Sequence, residues 1–356
     1  MRRAGYARHA SSAAAHGGPS PPCENNLLGA IAGRRKNPMK SILDRLPPLV
    51  TLGPIFALIA ACIFFTFQSD RFLSGQNFSL IIQQVMVVGV LAIGQTLIIL
   101  IAGIDLSCGM AMALGSILMT KFAVAHGMDP LLAIVCGVAT CTLIGYLNGA
   151  LVTLIKLPAF IVTLGMMNIV FACTQLYSDA QTITDLPPAM LYLGNTFKLG
   201  DTSIAYGTVV MLALYVFTWL FLRETSTGRH IYAVGNNQEA ARLTGINTKR
   251  VLIGIYTVAG LIYGIAALLS VARLGVGDPQ SGQTENLDSI TAVVLGGTSL
   301  FGGRGTVVGT LIGVMIVGVF RNGLTLMGVS SVFQILVTGV LVILAVSVDR
   351  LSHKKG

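Results

Sequence analysis

Charged side chains are scarce in this sequence. They make up 10% of its 356 residues, against roughly 25% in an ordinary soluble domain. This shortage excludes a large soluble core, because the amphipathic helices of such a core need a polar face about every turn. Asp, Glu, Lys and Arg are absent between Arg45 and Asp70, Arg71 and Asp105, Asp129 and Lys156, Lys156 and Asp179, Asp201 and Arg223, Arg250 and Arg273, and Arg321 and Asp349. Because a helix needs about 20 mostly apolar residues to cross a bilayer, these intervals predict membrane spans.

Alternation of polar and apolar residues is also missing. The segment 311–320, LIGVMIVGVF, is apolar throughout, which excludes a transmembrane β-barrel, whose strands alternate. The predicted fold is therefore an all-α polytopic membrane protein. We expect about ten spans, at roughly 48–67, 79–101, 106–121, 130–154, 159–178, 204–222, 251–271, 289–301, 306–326 and 332–348.

Two of these spans look too short and are rich in glycine. An acidic residue interrupts the apolar run between Ile104 and Gly109, and the sequence GGTSLFGGRG around 296–305 has little helix propensity. Irregular backbone at membrane depth is tolerated where it is buried in protein or lines a wet cavity. We therefore expect broken or re-entrant helices at both places.

The sequence holds no recognisable catalytic or metal-binding constellation. The six cysteines lack a CxxC pair and the five histidines form no cluster, so neither a disulfide nor a metal site is predicted. No paired carboxylates or activated nucleophile can be assembled from the spans. The glycine-rich run 297–304 is not followed by Gly-Lys-Ser/Thr, so no nucleotide site is predicted. The chain is thus not expected to be an enzyme or to bind a cofactor, and any ATP and Mg²⁺ would be bound by a partner ATPase.

The distribution of charge predicts the orientation of the chain. The net charge of +9 comes largely from basic residues before the first span, which indicates the positive-inside rule rather than nucleic-acid binding. An even number of spans places both termini in the cytoplasm. We expect a disordered basic arm over 1–45, a single permease domain over 46–350 with a cytoplasmic loop at 223–250, and a cytoplasmic tail over 351–356. Met39, just before the first span, is an alternative start.

Asp105 is the most informative polar residue within the predicted spans. An aspartate at the centre of a span costs at least ~2.5 kcal/mol, so it is expected to serve either as a cap or hinge where a helix restarts, or in direct contact with solute or protons. Uncharged polar side chains in other spans suit a pathway for a neutral polyol, although interhelical hydrogen bonding is the alternative for each. The candidate pathway or gating residues are Asp105, Ser107, Gln95, Asn148, Thr163 and Asn168.

The interval 223–250 is the longest charged segment between spans. Within it, QEAARLTG predicts a short amphipathic helix, with Glu239 and Arg242 at i, i+3 and Gly245 at its end. A solvated loop would explain the charge, but a regular helix suits docking in a groove on a partner.

Four long motifs then carry a resemblance that covers the chain from about residue 48 to its end. They are AGIDLSCGMAMALG at 102–115, TGRHIYAVGNNQEAARLTGI at 227–246, LDSITAVVLGGTSLFGGRGTVVGTLIGV at 287–314 and NGLTLMGVSS at 322–331. The sequence resembles the permease subunits of ribose-type ATP-binding-cassette (ABC) importers, a group that includes xylose, arabinose and galactose permeases. Cys108, Asn237 and Gln238 depart from the residues expected in these motifs.

The resemblance implies a non-enzymatic subunit that imports a monosaccharide across the bacterial cytoplasmic membrane. The implied partners are membrane lipid, a second permease copy, a cytoplasmic ATPase and a periplasmic or lipid-anchored sugar-binding protein. Coupling to the ATPase would involve Gly228, Arg229, Glu239, Ala240, Ala241 and Gly245. The outer segment 277–288, with Asp278, Glu285 and Asp288, would face the binding protein. An ion-coupled secondary transporter, with Asp105 as coupling residue, is the chief alternative, and a channel is the other.

Overall fold

The described chain is a bundle of helices. The computed structural model describes residues 49–353, so the predicted arm, the alternative start at Met39 and the last three residues lie outside it. The helices are α1 (Leu49–Gln68), α2 (Gly75–Leu100), α3 (Cys108–Val124), α4 (Pro130–Leu154), α5 (Ala159–Ser178), α6 (Pro188–Leu191), α7 (Tyr206–Glu224), α8 (Ser226–Asn236), α9 (Gln238–Leu243), α10 (Thr248–Leu274), α11 (Glu285–Leu295), α12 (Val307–Leu326) and α13 (Ser331–His353).

Every predicted span overlaps a helix, but not every one of these helices is long enough to cross a bilayer. Within residues 49–353, six helices have the length and apolar composition of a span, namely α2, α4, α5, α7, α10 and α12. The apolar parts of α1, α3 and α13 are shorter, and α11 has 11 residues. The predicted all-α polytopic class is confirmed, whereas the number of ten spans stays a prediction.

Glycine allows the central helices to approach closely. Helix α10 packs most extensively against α4 and also contacts α2 and α3. A Cβ atom at Gly145 of α4 would lie 2.3 Å from the carbonyl oxygen of Tyr256 in α10, and one at Gly149 would lie 3.0 Å from the Cα of Ile253. The Gly145–Gly149 pair therefore serves helix packing, as GxxxG spacing does in many membrane helices.

A short β-hairpin is the exception to the all-α prediction. Strand β1 (Thr196–Leu199) pairs antiparallel with β2 (Thr202–Ala205), and Gly200 in the turn has a φ of 65°. The hairpin lies where the sequence predicted only an outer loop. Four-residue strands carry too little periodicity to be found from sequence, although Thr, Phe and Ile favour extended backbone.

Candidate functional site

The first candidate site is the break between α2 and α3. Helix α2 ends with the amides of Ala102 and Gly103 donating to the carbonyls of Ile99 (2.9 Å) and Ile98 (2.9 Å). Ala102 adopts a left-handed conformation, with φ of 60°, which closes a Schellman-type end. Helix α3 restarts at Cys108. The predicted interruption near Asp105 is thus present, and it is built by local capping.

Asp105 is buried within this break, with 1% of its surface exposed. Its Oδ1 accepts hydrogen bonds from the Ser107 amide (2.8 Å) and hydroxyl (2.6 Å). The carboxylate therefore satisfies a backbone N–H in the turn just before α3 restarts, whereas the N-cap residue itself is Ser107, whose side chain caps no amide of α3. Oδ2 has no hydrogen-bond partner among the described residues.

Amide side chains from two other helices hold the break in place. Gln95 of α2 donates through Nε2 to the Asp105 carbonyl and to Cys108 Sγ at 3.0 Å. Asn148 of α4 donates to the Ser107 hydroxyl at 2.9 Å. All these side chains are at most 1% exposed, so they form a buried polar network in this conformation.

Helix α11 joins the same network from far along the chain. Asn286 donates through Nδ2 to the Leu106 carbonyl (2.6 Å) and accepts through Oδ1 from Cys108 Sγ (3.1 Å). Sequence reasoning missed Asn286, because nothing local to its segment indicates a partner 178 residues away. Cys108, noted only as a departure from the motif, is the residue that links Gln95 to Asn286.

Thr163 of α5 also contacts the break, whereas Asn168 does not. The Thr163 hydroxyl donates to the Ile104 carbonyl at 3.0 Å. Asn168 is exposed and donates to Leu164 within its own helix. The structure therefore brings five of the six predicted pathway residues to one break, and leaves Asn168 on the surface of α5. Whether they contact solute stays a prediction.

The second candidate site is the segment that follows α7. Thr225 caps α8 by accepting from the Gly228 amide at 2.9 Å. A Cβ at Gly228 would lie 2.4 Å from the Leu222 carbonyl, so only glycine lets α8 fold back against the end of α7. Arg229, next in the chain, is exposed.

Helix α9 has the amphipathic form predicted for QEAARLTG. Asn237 caps it by accepting from the Ala240 amide at 2.9 Å, and the Gly245 and Ile246 amides close its other end by donating to Arg242 and Ala241. Gly245 has a φ of 91°, which favours glycine. The predicted helix and its glycine end are confirmed.

The face of α9 that points away from the helix bundle is open to solvent. Arg242 donates two hydrogen bonds to the Glu239 carboxylate, at 3.1 and 2.5 Å, and these bonds lower the pKa of the Glu239 carboxyl. Leu243 is 76% exposed, whereas Ala241 is buried against the protein. Ala240 is exposed beside Glu239. An exposed leucine next to an ion pair is a surface suited to a protein partner.

The end of α8 meets both helix breaks. A Cβ at Gly235 would lie 1.8 Å from the Leu100 carbonyl oxygen, and that oxygen accepts from the Gly303 amide at 2.9 Å. A Cβ at Gly303 would in turn lie 2.8 Å from Asn236. We call Leu100, Gly235, Asn236 and Gly303 the glycine joint. It ties α8 to the first break and to the second, which lies between α11 and α12 as the sequence predicted.

The acids predicted to face a binding protein lie in two environments. Asp278 and Glu285 are partly exposed, whereas Asp288 is 7% exposed and pairs with Arg321 of α12 at 3.1 Å. The segment 277–288 was expected to be an outer loop up to its end. Helix α11 instead begins at Glu285, so Asp288 faces the interior.

Comparison with known proteins gives a consistent set of matches. A family described as "Branched-chain amino acid transport system / permease component" matches residues 77–346. The chain is 45% identical to the fructose import permease protein of Rhizobium meliloti, over 85% of each chain. It is 40% identical to the ribose import permease protein of Bacillus subtilis, over 84% of this chain and 92% of that one. It is 37% identical to the Escherichia coli K12 ribose import permease protein, over 90% and 98%. No solved structure matches significantly.

Proposed function

Because the chain belongs to the family of permease components of branched-chain amino acid transport systems, we propose that it is the membrane-spanning subunit of an ABC importer for a neutral monosaccharide. The resemblance to sugar permeases, predicted from four motifs, is confirmed by relatives named for import of fructose, ribose, allose and galactose. ATP would be hydrolysed by a separate cytoplasmic subunit.

The observation that carries the proposal is the form of α9. Its two ends are capped, its inner side is anchored by Ala241, and its outer side presents Glu239 and Leu243 to solvent. A short helix that is capped at both ends and presents an exposed apolar side chain can bind a partner and follow its movement. A loop without regular structure would instead deform. We propose that α9 docks on the ATPase and that Gly228, Arg229, Ala240 and Gly245 shape that contact.

The remaining features of the assembly follow from this proposal. The ten apolar helices would all lie within the membrane, with α3 and α11 as broken or re-entrant segments. Both termini and α9 would face the cytoplasm of a bacterium. A second copy would complete the pathway, and a sugar-binding protein would dock near Asp278 and Glu285 on the outer side.

A bulky residue at the end of α9 tests the coupling role. We expect Gly245→Trp to abolish ATP-driven sugar uptake in cells that also produce the ATPase and binding protein. Gly200→Trp in the hairpin is the matched control, because both glycines have positive φ and no atom within 4 Å of a Cβ, so both variants carry the same backbone strain of ~1–2 kcal/mol. Membrane insertion of both should equal that of the wild type. Normal uptake by Gly245→Trp would refute the coupling assignment.

The energy source separates this proposal from ion-coupled transport. Uptake should stop when ATP is depleted and persist with a protonophore under conditions that maintain ATP. The opposite pattern would support the secondary transporter, in which Asp105 would be the coupling residue.

A further inference from the structure

The polar network at the first break contains more acceptors than donors. Three of its side-chain oxygens have no hydrogen-bond partner among the described residues, namely Asp105 Oδ2, Gln95 Oε1 and Asn148 Oδ1. Gln95 donates to the Asp105 carbonyl. Asn148 donates to the Ser107 hydroxyl, which in turn donates to Asp105 Oδ1, so the three oxygens belong to one cluster. Because amide oxygens and ionised carboxylates can only accept hydrogen bonds, this cluster lacks donors.

Two tyrosine hydroxyls of α10 lie beside the cluster, and both are also unpaired within the described chain. The hydroxyl oxygen of Tyr256 would lie 2.8 Å from a Cβ built at Gly103, in the break itself. The ring of Tyr263 would lie 2.5 Å from a Cβ built at Gly94 of α2. A hydroxyl group donates a single hydrogen atom. Even if both tyrosines donate to the cluster after a small shift, one of its three acceptors stays unpaired.

The charge of an ionised Asp105 would have no counterion. No lysine or arginine of the described chain forms an ion pair with it. The titratable side chains within its electrostatic reach are Cys108, Tyr256 and Tyr263, which are neutral when protonated. From α2, α4, α5 and α11, amide and hydroxyl groups contact the break. An isolated buried charge costs more than such hydrogen bonds return, so a carboxyl in this position takes up a proton.

A hydrogen atom on the carboxyl group is a partner that needs no cavity. The unpaired oxygens of the cluster are inaccessible to a probe of the size of a water molecule, so a bound water has no room to supply the missing donor. A proton on Asp105 Oδ2 turns that oxygen from an acceptor into a donor. The cluster then has a donor for each amide oxygen and carries no net charge.

We propose that Asp105 is a proton-binding site that keeps the first break closed. The proton lies on Oδ2, while Oδ1 is the carbonyl oxygen that accepts both hydrogen bonds from Ser107. A movement that exposes Asp105 to water lets the carboxyl group ionise, as exposed carboxyl groups do at neutral pH, so opening of the break releases the proton. Low pH therefore favours the closed break, and high pH favours its opening.

Infrared spectroscopy detects this proton directly. The full chain in lipid nanodiscs is prepared with unlabelled and with side-chain ¹³C-labelled aspartate, so that lipid esters cancel in the difference spectrum. At about pH 8, where an ordinary carboxyl group is ionised, we expect the C=O stretch of a protonated aspartic acid in the wild type and its loss in Asp105→Asn. Asp129→Asn is the matched control and should keep the band. Asp129 also accepts two amide hydrogen bonds through one oxygen, but it is exposed.

Labelling of Cys108 measures the opening of the break. Cys108 is fully buried and bonds to Gln95 and Asn286, so N-ethylmaleimide reaches it only when the network opens, and mass spectrometry identifies the modified residue. The rate is divided by that of Asp105→Asn, which cancels the pH dependence of the thiol itself. One released proton shifts the equilibrium tenfold per pH unit, so this ratio should rise about a hundredfold from about pH 6 to about pH 8.

The acid band and the labelling ratio separate a held proton from an ionised carboxylate. A wild-type chain without the acid band, as a carboxylate paired with a bound cation would give, would overturn the proposal, and this result needs no variant. A band that persists in Asp105→Asn, or a labelling ratio that is equal at both pH values, would also overturn it. Neither measurement uses ATP, a partner or a solute. Failure of the importer proposal, seen as absence of ATP-driven uptake, therefore leaves both results readable.

Discussion

Asp105 shows how a single buried carboxylate can be explained by its hydrogen bonds. Its Oδ1 receives both bonds that Ser107 can donate, and no lysine or arginine of the described chain forms an ion pair with it. An asparagine can accept the same two bonds through its amide oxygen. These two hydrogen bonds therefore need the oxygen and not the charge.

Substitution of Asp105 follows from this geometry. We expect Asp105→Asn to keep uptake within about threefold of wild type, and Asp105→Ala to lose about 1 kcal/mol of stability, as a lost cap does, together with most uptake. Thermal unfolding in detergent and sugar uptake in cells provide the measurements. Should Asp105→Asn fold normally yet transport as poorly as Asp105→Ala, the charge or proton of Asp105 would be essential and ion coupling would regain support.

At the residue scale, sequence reasoning found the polar residue that interrupts an apolar run and missed the basic residues that stand at the end of one. Asp105 was found because it breaks an apolar run. Arg273 and Arg321 were missed because each stands at the end of such a run, where a basic residue is ordinarily a membrane-interface anchor. Only the fold shows that Arg321 pairs with Asp288 of α11, because the two residues lie 33 positions apart in the sequence.

At the element scale, helix ends were predicted where local capping sets them. The restart of α3, the glycine end of α9 and the gap before α12 all follow from residues within a few positions. The start of α11 was placed four residues late, because Glu285 and Asp288 resemble loop acids until Arg321 is seen to pair with one of them. The hairpin was missed because its pairing is short.

The glycine joint predicts a defect in coupling. Gly235→Ala places a Cβ against the Leu100 carbonyl, so α8 must move away from the first break. We expect a loss of about 1–3 kcal/mol in stability, as in other overpacked sites, and at least a tenfold loss of uptake. Unfolding temperature, uptake and ATP hydrolysis of the assembled transporter are the measurements.

Two variants make this result interpretable. Gly254→Ala in α10 is the control, because nothing lies within 4 Å of its Cβ, and it should behave as wild type. Tyr232→Phe removes only the hydrogen bond from α8 to the Gly305 carbonyl and should lower uptake with little loss of stability. Wild-type uptake by both Gly235→Ala and Tyr232→Phe would show that the glycine joint has no part in coupling ATP hydrolysis to transport.

At the scale of the whole molecule, the orientation in the membrane is predicted from the distribution of charge alone. The segregation of basic and acidic residues predicts α9 inside and the β1–β2 hairpin outside, while the fold alone is compatible with either orientation. The number of spans is likewise a prediction from the sequence, because α1, α3, α11 and α13 have apolar parts shorter than a full membrane span.

Cysteine labelling measures the orientation. A membrane-impermeant maleimide applied to intact cells, after permeabilisation of any outer membrane, should modify Lys198→Cys in the hairpin and spare Lys249→Cys after α9. Both positions are exposed, and inside-out vesicles should reverse the pattern. The unsubstituted chain reports labelling of its native cysteines. Modification of Lys249→Cys from outside would invert the topology and place α9 out of reach of a cytoplasmic ATPase.

The two faces of the first turns of α11 contact different parts of the fold. Asp288 pairs with Arg321 of α12, while Asn286 and Ser289 contact Cys108 at the first break. A rotation of this helix that alters one face must alter the other. A displacement of the pair of Asp288 and Arg321 would therefore reach the first break through one short helix.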